Sequence, residues 1–208
     1  MSNRKEIHDR VLHAKTKDEL TAAYGEWADA YDKDLVTEMG YVAHLTAAKL
    51  LSETLKETNA RILDAGCGTG LVGEALYQMG YKNLFGLDYS QHMLDQAEKK
   101  GVYKTLRQGD LTQRLDLDDN SFDSVISVGT FTCGHVGPEA LTELIRLTRP
   151  DGYICFTVRE QAWQEDDYAS AIKEIESRKL WRKIKHLDTD YILKEGASCT
   201  ICLYQVTG

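Results

Sequence analysis

Long apolar runs, signal-peptide features and an excess of basic charge are all missing from this 208-residue sequence. No run is long enough to span a bilayer, and the N-terminus MSNRKEIHDRVLHAK has no signal-peptide core, so we expect a cytoplasmic protein with no membrane partner. Basic residues number 25 against 33 acidic ones, which gives a formal net charge of −8. This balance argues against nucleic acid as a partner and is compatible with a small acidic, zwitterionic or neutral substrate.

Proline and cysteine are also scarce. The only prolines are Pro138 and Pro150, and five cysteines is an odd number in a sequence without a secretory signal, so reduced thiols are expected. Cys199 and Cys202 form a CxxC within SCTICLYQV, which alternates as a strand does. Residues three apart on a strand point to opposite faces, and no second CxxC is present, so no metal site is predicted.

The first sixty residues have the pattern of helices. Thr16 and Glu19 form a capping box before KDELTAAYGEWADAYD, and helical spacing predicts a second helix over about residues 41–56. From Arg61 onward, strand-like and helix-like segments alternate, and a long helix is predicted over about residues 161–180. We therefore predict a helical N-terminal cap or lid over residues 1–60 and a core over residues 61–208, together one compact domain.

Repeated strand–helix units predict an α/β fold with a mostly parallel sheet and helices on both faces. No helix separates the last two strand-like segments, LWRKIKHLD and SCTICLYQV, so they can pair antiparallel. Ligands of such sheets bind beyond the carboxyl ends of the strands. That edge should collect the loop after Asp64, the acids Asp88 and Asp110, and residues 129–135.

The stretch ILDAGCGTGLVGEAL, residues 62–76, joins a buried strand to a helix through a glycine-rich turn. Residues 68–73 satisfy GxGxxG, and Asp88 follows about 20 residues later, as in a dinucleotide-binding fingerprint. A second frame, DxGxGxG over residues 64–70, places an acid at the end of the strand. Because an acid repels a pyrophosphate and attracts an ammonium group, this frame favours the amino-acid head of S-adenosylmethionine, with Asp64 facing the ammonium.

The order LDAGCGTG, GLDYSQHML, GDL, FDSVISVG and LTRPDGYICFTV resembles the class I S-adenosylmethionine-dependent methyltransferases over about residues 24–160. The segments YGEWADAYDKD and CGTGLVGEAL are similar to a methyltransferase-like branch of that class. The resemblance implies a Rossmann-like, seven-stranded sheet with a C-terminal antiparallel hairpin, and S-adenosyl-L-methionine as the cofactor. One departure is RPDG, which stands where many members have KPGG.

The resemblance also implies which residues bind the cofactor. The glycine loop would surround the methionine part, Asp88 would bind the ribose, and Asp110 would bind the adenine amino group. Met93 lies on the apolar side of a helix, and core packing is an alternative for it. The implied set is Trp27, Tyr31, Asp64, Gly66, Cys67, Gly68, Gly70, Asp88, Tyr89, Met93, Asp110, Leu111, Val128 and Gly129.

Tyr24, Trp27 and Tyr31 recur at helical spacing and share one face. This face either packs the N-terminal helix on the domain or forms an aromatic lid, whose rings would attract a sulfonium cation. His135 in GTFTCGHVG is either a general base or a solvated loop histidine, and Glu160 is a similar candidate for substrate contact. The remaining histidines are expected at the surface: His8, His13, His44, His92 and His186.

Methyl transfer from a sulfonium is an in-line displacement in which the protein supplies alignment and a dry pocket, so a catalytic base is not required. The sequence has neither an Asn/Asp-Pro-Pro-Tyr motif nor a Pro-Cys nucleophile after the fourth strand. We predict an S-adenosylmethionine-dependent methyltransferase that acts on oxygen, nitrogen or sulfur of a small molecule. The alternatives are a protein side-chain methyltransferase, a non-enzymatic S-adenosylmethionine-binding module and, less favoured, an NAD(P)-dependent oxidoreductase.

Overall fold

The structure is a computed structural model that describes residues 4–14, 16–132 and 136–207. Within these residues, seven strands form one sheet: β1 Ile62–Ala65, β2 Leu84–Asp88, β3 Thr105–Gln108, β4 Phe122–Phe131, β5 Thr148–Arg159, β6 Trp181–Ile192 and β7 Ala197–Val206. The same residues contain eight α-helices: α1 Arg4–His13, α2 Lys17–Trp27, α3 Ala43–Thr54, α4 Leu71–Gln78, α5 Gln91–Lys100, α6 Leu141–Leu147, α7 Glu160–Glu165 and α8 Tyr168–Ser177. A π-helix spans Lys33–Met39, and short 3-10 turns span Pro138–Ala140 and Leu193–Glu195.

The strand order is β3-β2-β1-β4-β5-β7-β6. The first five strands pair in parallel, and β7 pairs antiparallel with both β5 and β6. The predicted mostly parallel sheet with a C-terminal antiparallel hairpin is therefore confirmed. The order reverses direction between β1 and β4, and a switch of this kind opens a crevice at the carboxyl ends of the strands.

The central strands of the sheet are buried on both faces, whereas the edge strands β3 and β6 are largely exposed. One face packs against a cluster that includes α3, α4 and the N-terminal helices, and the other packs against a cluster that includes α6 and α8. Cys199 belongs to the first cluster and Cys202 to the second, so the prediction that the CxxC sulfurs point to opposite faces is confirmed.

Several helix ends follow their local signals. The Thr16 hydroxyl accepts a hydrogen bond from the Glu19 amide at 3.2 Å, as the capping pattern predicts. Ser90 caps α5 by accepting from the Met93 amide at 3.4 Å, and Gly101 ends that helix with a φ of +62°. These ends are set by side chains that satisfy backbone groups locally.

Three segments differ from the sequence prediction. The predicted helix over residues 161–180 is broken into α7 and α8 by Asp167, which has a φ of +53°. The helix predicted through residue 32 ends at Trp27. The segment RPDGY has the residues of a turn but lies inside β5, where the pairing jumps from Phe122–Thr148 to Ser124–Tyr153, so the extra residues form a bulge.

The described residues contain no group of three or more His, Cys, Asp or Glu side chains arranged to hold a metal ion. In the same part of the chain, every helix is too short or too polar to cross a lipid bilayer.

Candidate functional site

An open cavity lies at the carboxyl edge of the parallel strands. Four strand ends and the N-terminal segment supply its walls. The sequence-predicted residues on these walls are Tyr31, Gly66, Cys67, Gly68, Asp88, Tyr89, Met93, Asp110, Leu111, Val128 and Gly129.

The turn after β1 brings backbone rather than side chains to the cavity. Gly68 has a φ of +53°, and no protein atom lies within 4 Å of the position that a Cβ would take there. Its amide donates to the Asp88 carboxylate at 2.8 Å. At Gly66, which has a φ of +79°, a Cβ would lie 2.2 Å from the Thr130 hydroxyl oxygen. Glycine at 66 therefore allows β4 to approach, and glycine at 68 leaves open space beside a backbone donor.

Asp88 is held in place at the end of β2. Its two carboxylate oxygens accept hydrogen bonds from the backbone amides of Gly68 at 2.8 Å and Ser90 at 2.9 Å. Burial raises the pKa of this carboxyl above its ordinary value, and the backbone donors oppose the rise. Each carboxylate oxygen has a second lone pair, so Asp88 can accept further hydrogen bonds from a diol.

The loop after β3 is organised by Asp110. Its Oδ1 accepts from the Thr112 amide at 2.9 Å and from the Thr112 hydroxyl at 2.7 Å. Leu111 is buried beside it, and Met93 is buried on α5 across the cavity. The two acids and these apolar side chains form one end of the cavity, with a chemistry that suits a nucleoside.

At the opposite end, aromatic side chains meet. This aromatic wall consists of Tyr24, Tyr31, Tyr41, His44 and Tyr191. Tyr41 stacks on His44 with ring centroids 4.8 Å apart, and it meets Tyr191 edge-to-face at 5.1 Å. Tyr24 meets Tyr31 edge-to-face at 6.0 Å. Burial raises the pKa of the four tyrosines, so their phenols are neutral near pH 7.

Two predicted cofactor residues lie behind the cavity wall rather than on it. Asp64 is buried, and its Oδ2 accepts a hydrogen bond from the Tyr103 hydroxyl at 2.6 Å. Trp27 packs edge-to-face behind Tyr31 at 4.8 Å and donates its indole N–H to Asp34 at 3.0 Å. Asp64 Oδ1 is buried and has no hydrogen-bond partner among the described residues, and burial raises the pKa of this carboxyl to about 7. The contact of Asp64 and Trp27 with the cofactor stays a prediction.

Gly70 is also absent from the described wall. It adopts a φ of +89° at the start of α4, where a Cβ would lie 3.1 Å from the Tyr103 ring. Gly73 packs still more tightly, since a Cβ would lie 2.2 Å from the Tyr103 hydroxyl oxygen. Both glycines thus allow the close contact between α4 and Tyr103.

The candidate catalytic side chains have different outcomes. His135 lies outside the described residues, so its role as a base stays a prediction. Glu160 follows β5 and accepts a hydrogen bond from the Ser198 hydroxyl at 2.6 Å, away from the cavity wall. Cys67 lines the cavity, but burial raises its pKa well above the ordinary value, which keeps the thiol protonated.

Sequence reasoning missed three members of the aromatic wall. His44 was expected at the surface, yet it is 4% exposed, and its Nδ1 has no hydrogen-bond partner among the described residues. The signal was available, because residues 44, 47, 48 and 51 form one helical stripe that is buried throughout. Tyr41 and Tyr191 meet through pairing between the segment before α3 and the end of β6, which no local pattern indicates.

Comparison with known proteins identifies the family. A family model described as a methyltransferase domain matches residues 63–156. Methyltransferase-like protein 27 from Homo sapiens is 32% identical over 180 residues, which cover 84% of this chain and 73% of the human protein. The chain belongs to the class I S-adenosylmethionine-dependent methyltransferases. The resemblance carried by its motifs, including the methyltransferase-like branch, is thereby confirmed.

Other relatives extend this assignment within the class I methyltransferases. A malonyl-[acyl-carrier protein] O-methyltransferase from Yersinia pestis is 33% identical over 162 residues, which cover 73% of this chain but only 57% of that protein. The crystal structure of a TehB-like SAM-dependent methyltransferase from Corynebacterium glutamicum superposes with a TM-score of 0.68 at 20% identity, covering 89% of this chain and all of that one. The second similarity shows the fold alone.

Proposed function

We propose that this methyltransferase binds S-adenosylmethionine in the described cavity and methylates oxygen, nitrogen or sulfur of a small molecule. The observation that carries the proposal is the pairing of Gly68 and Asp88 on one wall: open space beside a glycine amide adjoins a carboxylate that can accept from a ribose diol. When bound, the cofactor supplies an electrophilic methyl group on a positively charged sulfur.

The protein side chains fit this group by their chemistry. Asp88 would hold the ribose, and Asp110, Leu111 and Met93 would surround the adenine. The backbone of Gly66, Gly68 and Gly129 would approach the amino-acid part, while Tyr89, which is 41% exposed, would cover the nucleoside from the solvent side. Val128 and Cys67 complete the wall between these two parts.

The N-terminal segment would act as the cap. Tyr24 and Tyr31 reach the cavity from α2 and from the turn that follows it. Their rings attract a cation by roughly 0.5–2 kcal/mol, and they exclude water from the centre where the methyl group is transferred. A dedicated base is unnecessary in this proposal, because alignment alone can contribute roughly 7–11 kcal/mol.

A small-molecule acceptor is supported by the aromatic side chains that wall the cavity at one end. The relative from Yersinia pestis is named for methylation of a malonyl group on a carrier protein. The acceptors proposed for this chain therefore include acyl groups. A cytoplasmic location belongs to the same proposal.

Calorimetric titration with S-adenosylhomocysteine tests the cofactor assignment, with NADH as the competing ligand. We expect saturable binding of S-adenosylhomocysteine and none of NADH. Asp88→Asn should weaken binding at least tenfold, because it replaces a charged acceptor of ribose hydroxyls.

Asp95→Asn on the exposed face of α5 is the matched control, since its partner is Gln91 and not the cavity. Equal affinity in the Asp88 and Asp95 variants would contradict the proposal, as would selective binding of NADH. A methyl-transfer assay across small hydroxyl, amine and thiol acceptors then tests the activity.

A further inference from the structure

Arg159 lies against the aromatic wall and has no ionic partner among the residues that the structure describes. Its guanidinium lies over the ring of Tyr191, 5.2 Å from the ring centroid, and forms no salt bridge with any described residue. The adjacent Glu160 accepts from Ser198 at 2.6 Å. Arg159 is half-buried at the last position of β5.

Strand alternation places this guanidinium on the cavity side of the sheet. Residues two apart on a strand share a face, so Arg159 lies on the same face as Thr157. The Thr157 hydroxyl accepts from the Gly129 amide at 2.9 Å, and Gly129 lies on the cavity wall. Arg159 lies two residues after Thr157, at the carboxyl end of β5, where the cavity opens.

The phenols beside Arg159 respond to its charge. Burial raises the pKa of Tyr24 and of Tyr191; the negative charge of Asp88 adds to the rise at Tyr24, and the positive charge of Arg159 opposes the rise in both residues. A Cβ at Gly129 would lie 2.9 Å from the Tyr191 hydroxyl oxygen, so that phenol reaches the end of β4. The guanidinium lies on Tyr191, and Tyr24 lines the same aromatic wall, so one cation and two phenols adjoin the cavity.

Charge is distributed unevenly along the cavity. Asp88 and Asp110 mark one end, whereas Arg159 adjoins the aromatic end. A half-buried guanidinium presents a planar fork of donors that matches a carboxylate. The carboxylates of Asp88 and Asp110 suit the hydroxyls and amino group of a nucleoside. If the nucleoside occupies that end, the methyl acceptor binds at the other end, beside Arg159.

We propose that the acceptor carries a carboxylate, which Arg159 binds with help from the Tyr24 and Tyr191 hydroxyls. This inference rests on the proposed function, since it uses the cofactor to fill the acidic end. Arg159 is then a specificity-determining residue: it selects anionic acceptors and holds them against the aromatic wall. The attacked atom is either the carboxylate oxygen itself or a second group on the same molecule.

Ligand binding to the protein saturated with S-adenosylhomocysteine tests this inference without requiring the natural acceptor. The probes are two matched pairs, phenylacetate with phenylacetamide and succinate with succinamide, titrated while thermal stability is recorded. We expect at least one carboxylate to bind at least tenfold more tightly than its amide. Arg159→Met should abolish that preference, and Arg159→Lys should retain part of it because the charge is kept without the fork.

Arg61→Met is the matched control. Arg61 also lies over aromatic rings, those of Phe85 at 4.9 Å and Phe122 at 5.5 Å, but it precedes β1 at the other edge of the sheet. This variant should keep the carboxylate preference. Equal binding of both acids and their amides to the wild-type protein, or a preference that persists in Arg159→Met, would overturn the inference. Loss of S-adenosylhomocysteine binding would instead refute the cofactor assignment, which the saturation step measures separately.

Discussion

His44 and Asp64 are buried ionisable residues whose pKa values are shifted in opposite directions. Burial lowers the pKa of His44 from its ordinary 6.5 to about 4, and it raises that of Asp64 from 3.8 to about 7. Between pH 4 and 6.5, the unfolded chain therefore binds more protons than the folded chain at residue 44, and fewer at residue 64. By linkage, His44 makes stability rise with pH in this range, and Asp64 makes it fall.

Single substitutions should reveal these opposed contributions, which largely cancel in the wild-type protein. Relative to wild type, the unfolding free energy of His44→Phe should fall as pH increases from 4 to 6.5, and that of Asp64→Asn should rise from 4 to 7. Each slope is at most about 1.4 kcal/mol per pH unit. Urea unfolding between pH 4.5 and 7.5 measures both, with the exposed His92→Gln as control. Curves that stay parallel to wild type would contradict the assigned shifts.

At the scale of helices and strands, local signals predicted most of the core. α5 has a serine before its first residue and a glycine after its last, and both ends lie where these residues indicate. The break between α7 and α8 was not predictable, because Asp167 adopts a left-handed conformation without glycine. A non-glycine residue in that region needs support from its surroundings, which a sequence pattern does not contain.

The candidate site also has one part that the sequence predicts and one part that it does not. Its nucleoside end consists of strand-end loops, whose residue types and order are visible in the sequence. Its aromatic end is assembled from α2, α3 and β6, and the contact of Tyr41 with Tyr191 joins residues that are distant in the chain. The partner of Asp64 was likewise not predictable, because Tyr103 lies beyond α5 and outside the glycine-loop motif.

The turn after α2 is fastened to the cofactor loop through Asp32. Its carboxylate accepts from the Thr69 hydroxyl and from the Lys100 ammonium, the latter at 2.7 Å. Thr69 is 2% exposed and lies on the cavity wall, and Lys100 also pairs with Glu74 at 3.1 Å. The cap and the glycine turn therefore share one polar network.

Asp32→Ala should loosen the cap and weaken S-adenosylhomocysteine binding. Loss of one charge-assisted contact of about 1 kcal/mol corresponds to a roughly fivefold weaker affinity. Hydrogen exchange should accelerate at the end of α2 and in Lys33–Met39, while global stability changes little. Asp29→Ala is the control. The Asp29 carboxylate accepts from Gln96 at 2.6 Å, and Gln96 lies on α5, the helix that also carries Lys100, but the Asp29 side chain is almost fully exposed. A similar response in both variants would mean that Asp32 acts only as a surface charge.

At the scale of the whole molecule, the helices of the first sixty residues join one buried cluster, in which α3 packs on the sheet. α3 is part of the core: Ala47, Ala48 and Leu51 are fully buried on a face of the sheet, and the Cys155 thiol lies 3.8 Å from the Ala47 carbonyl oxygen. Residues 40–42 pair with the end of β6, where the Val42 amide donates to the Tyr191 carbonyl at 3.2 Å. We propose that the functional cap is the part of the chain before this pairing, namely α1, α2 and the turn through Asp32.

Graded truncation tests where the cap ends. A fragment of residues 33–208 keeps the buried Leu35 and Met39, the pairing with β6 and all of α3, so it should unfold cooperatively. It lacks Tyr24, Tyr31 and Asp32, and its affinity for S-adenosylhomocysteine should fall at least tenfold. A fragment of residues 61–208 exposes the apolar sheet face that α3 covers, and it should aggregate or lose its cooperative transition. Calorimetry and urea unfolding separate these outcomes. Cooperative unfolding of the shorter fragment would place the boundary at residue 60, whereas undiminished affinity in the longer one would show that the cap takes no part in binding.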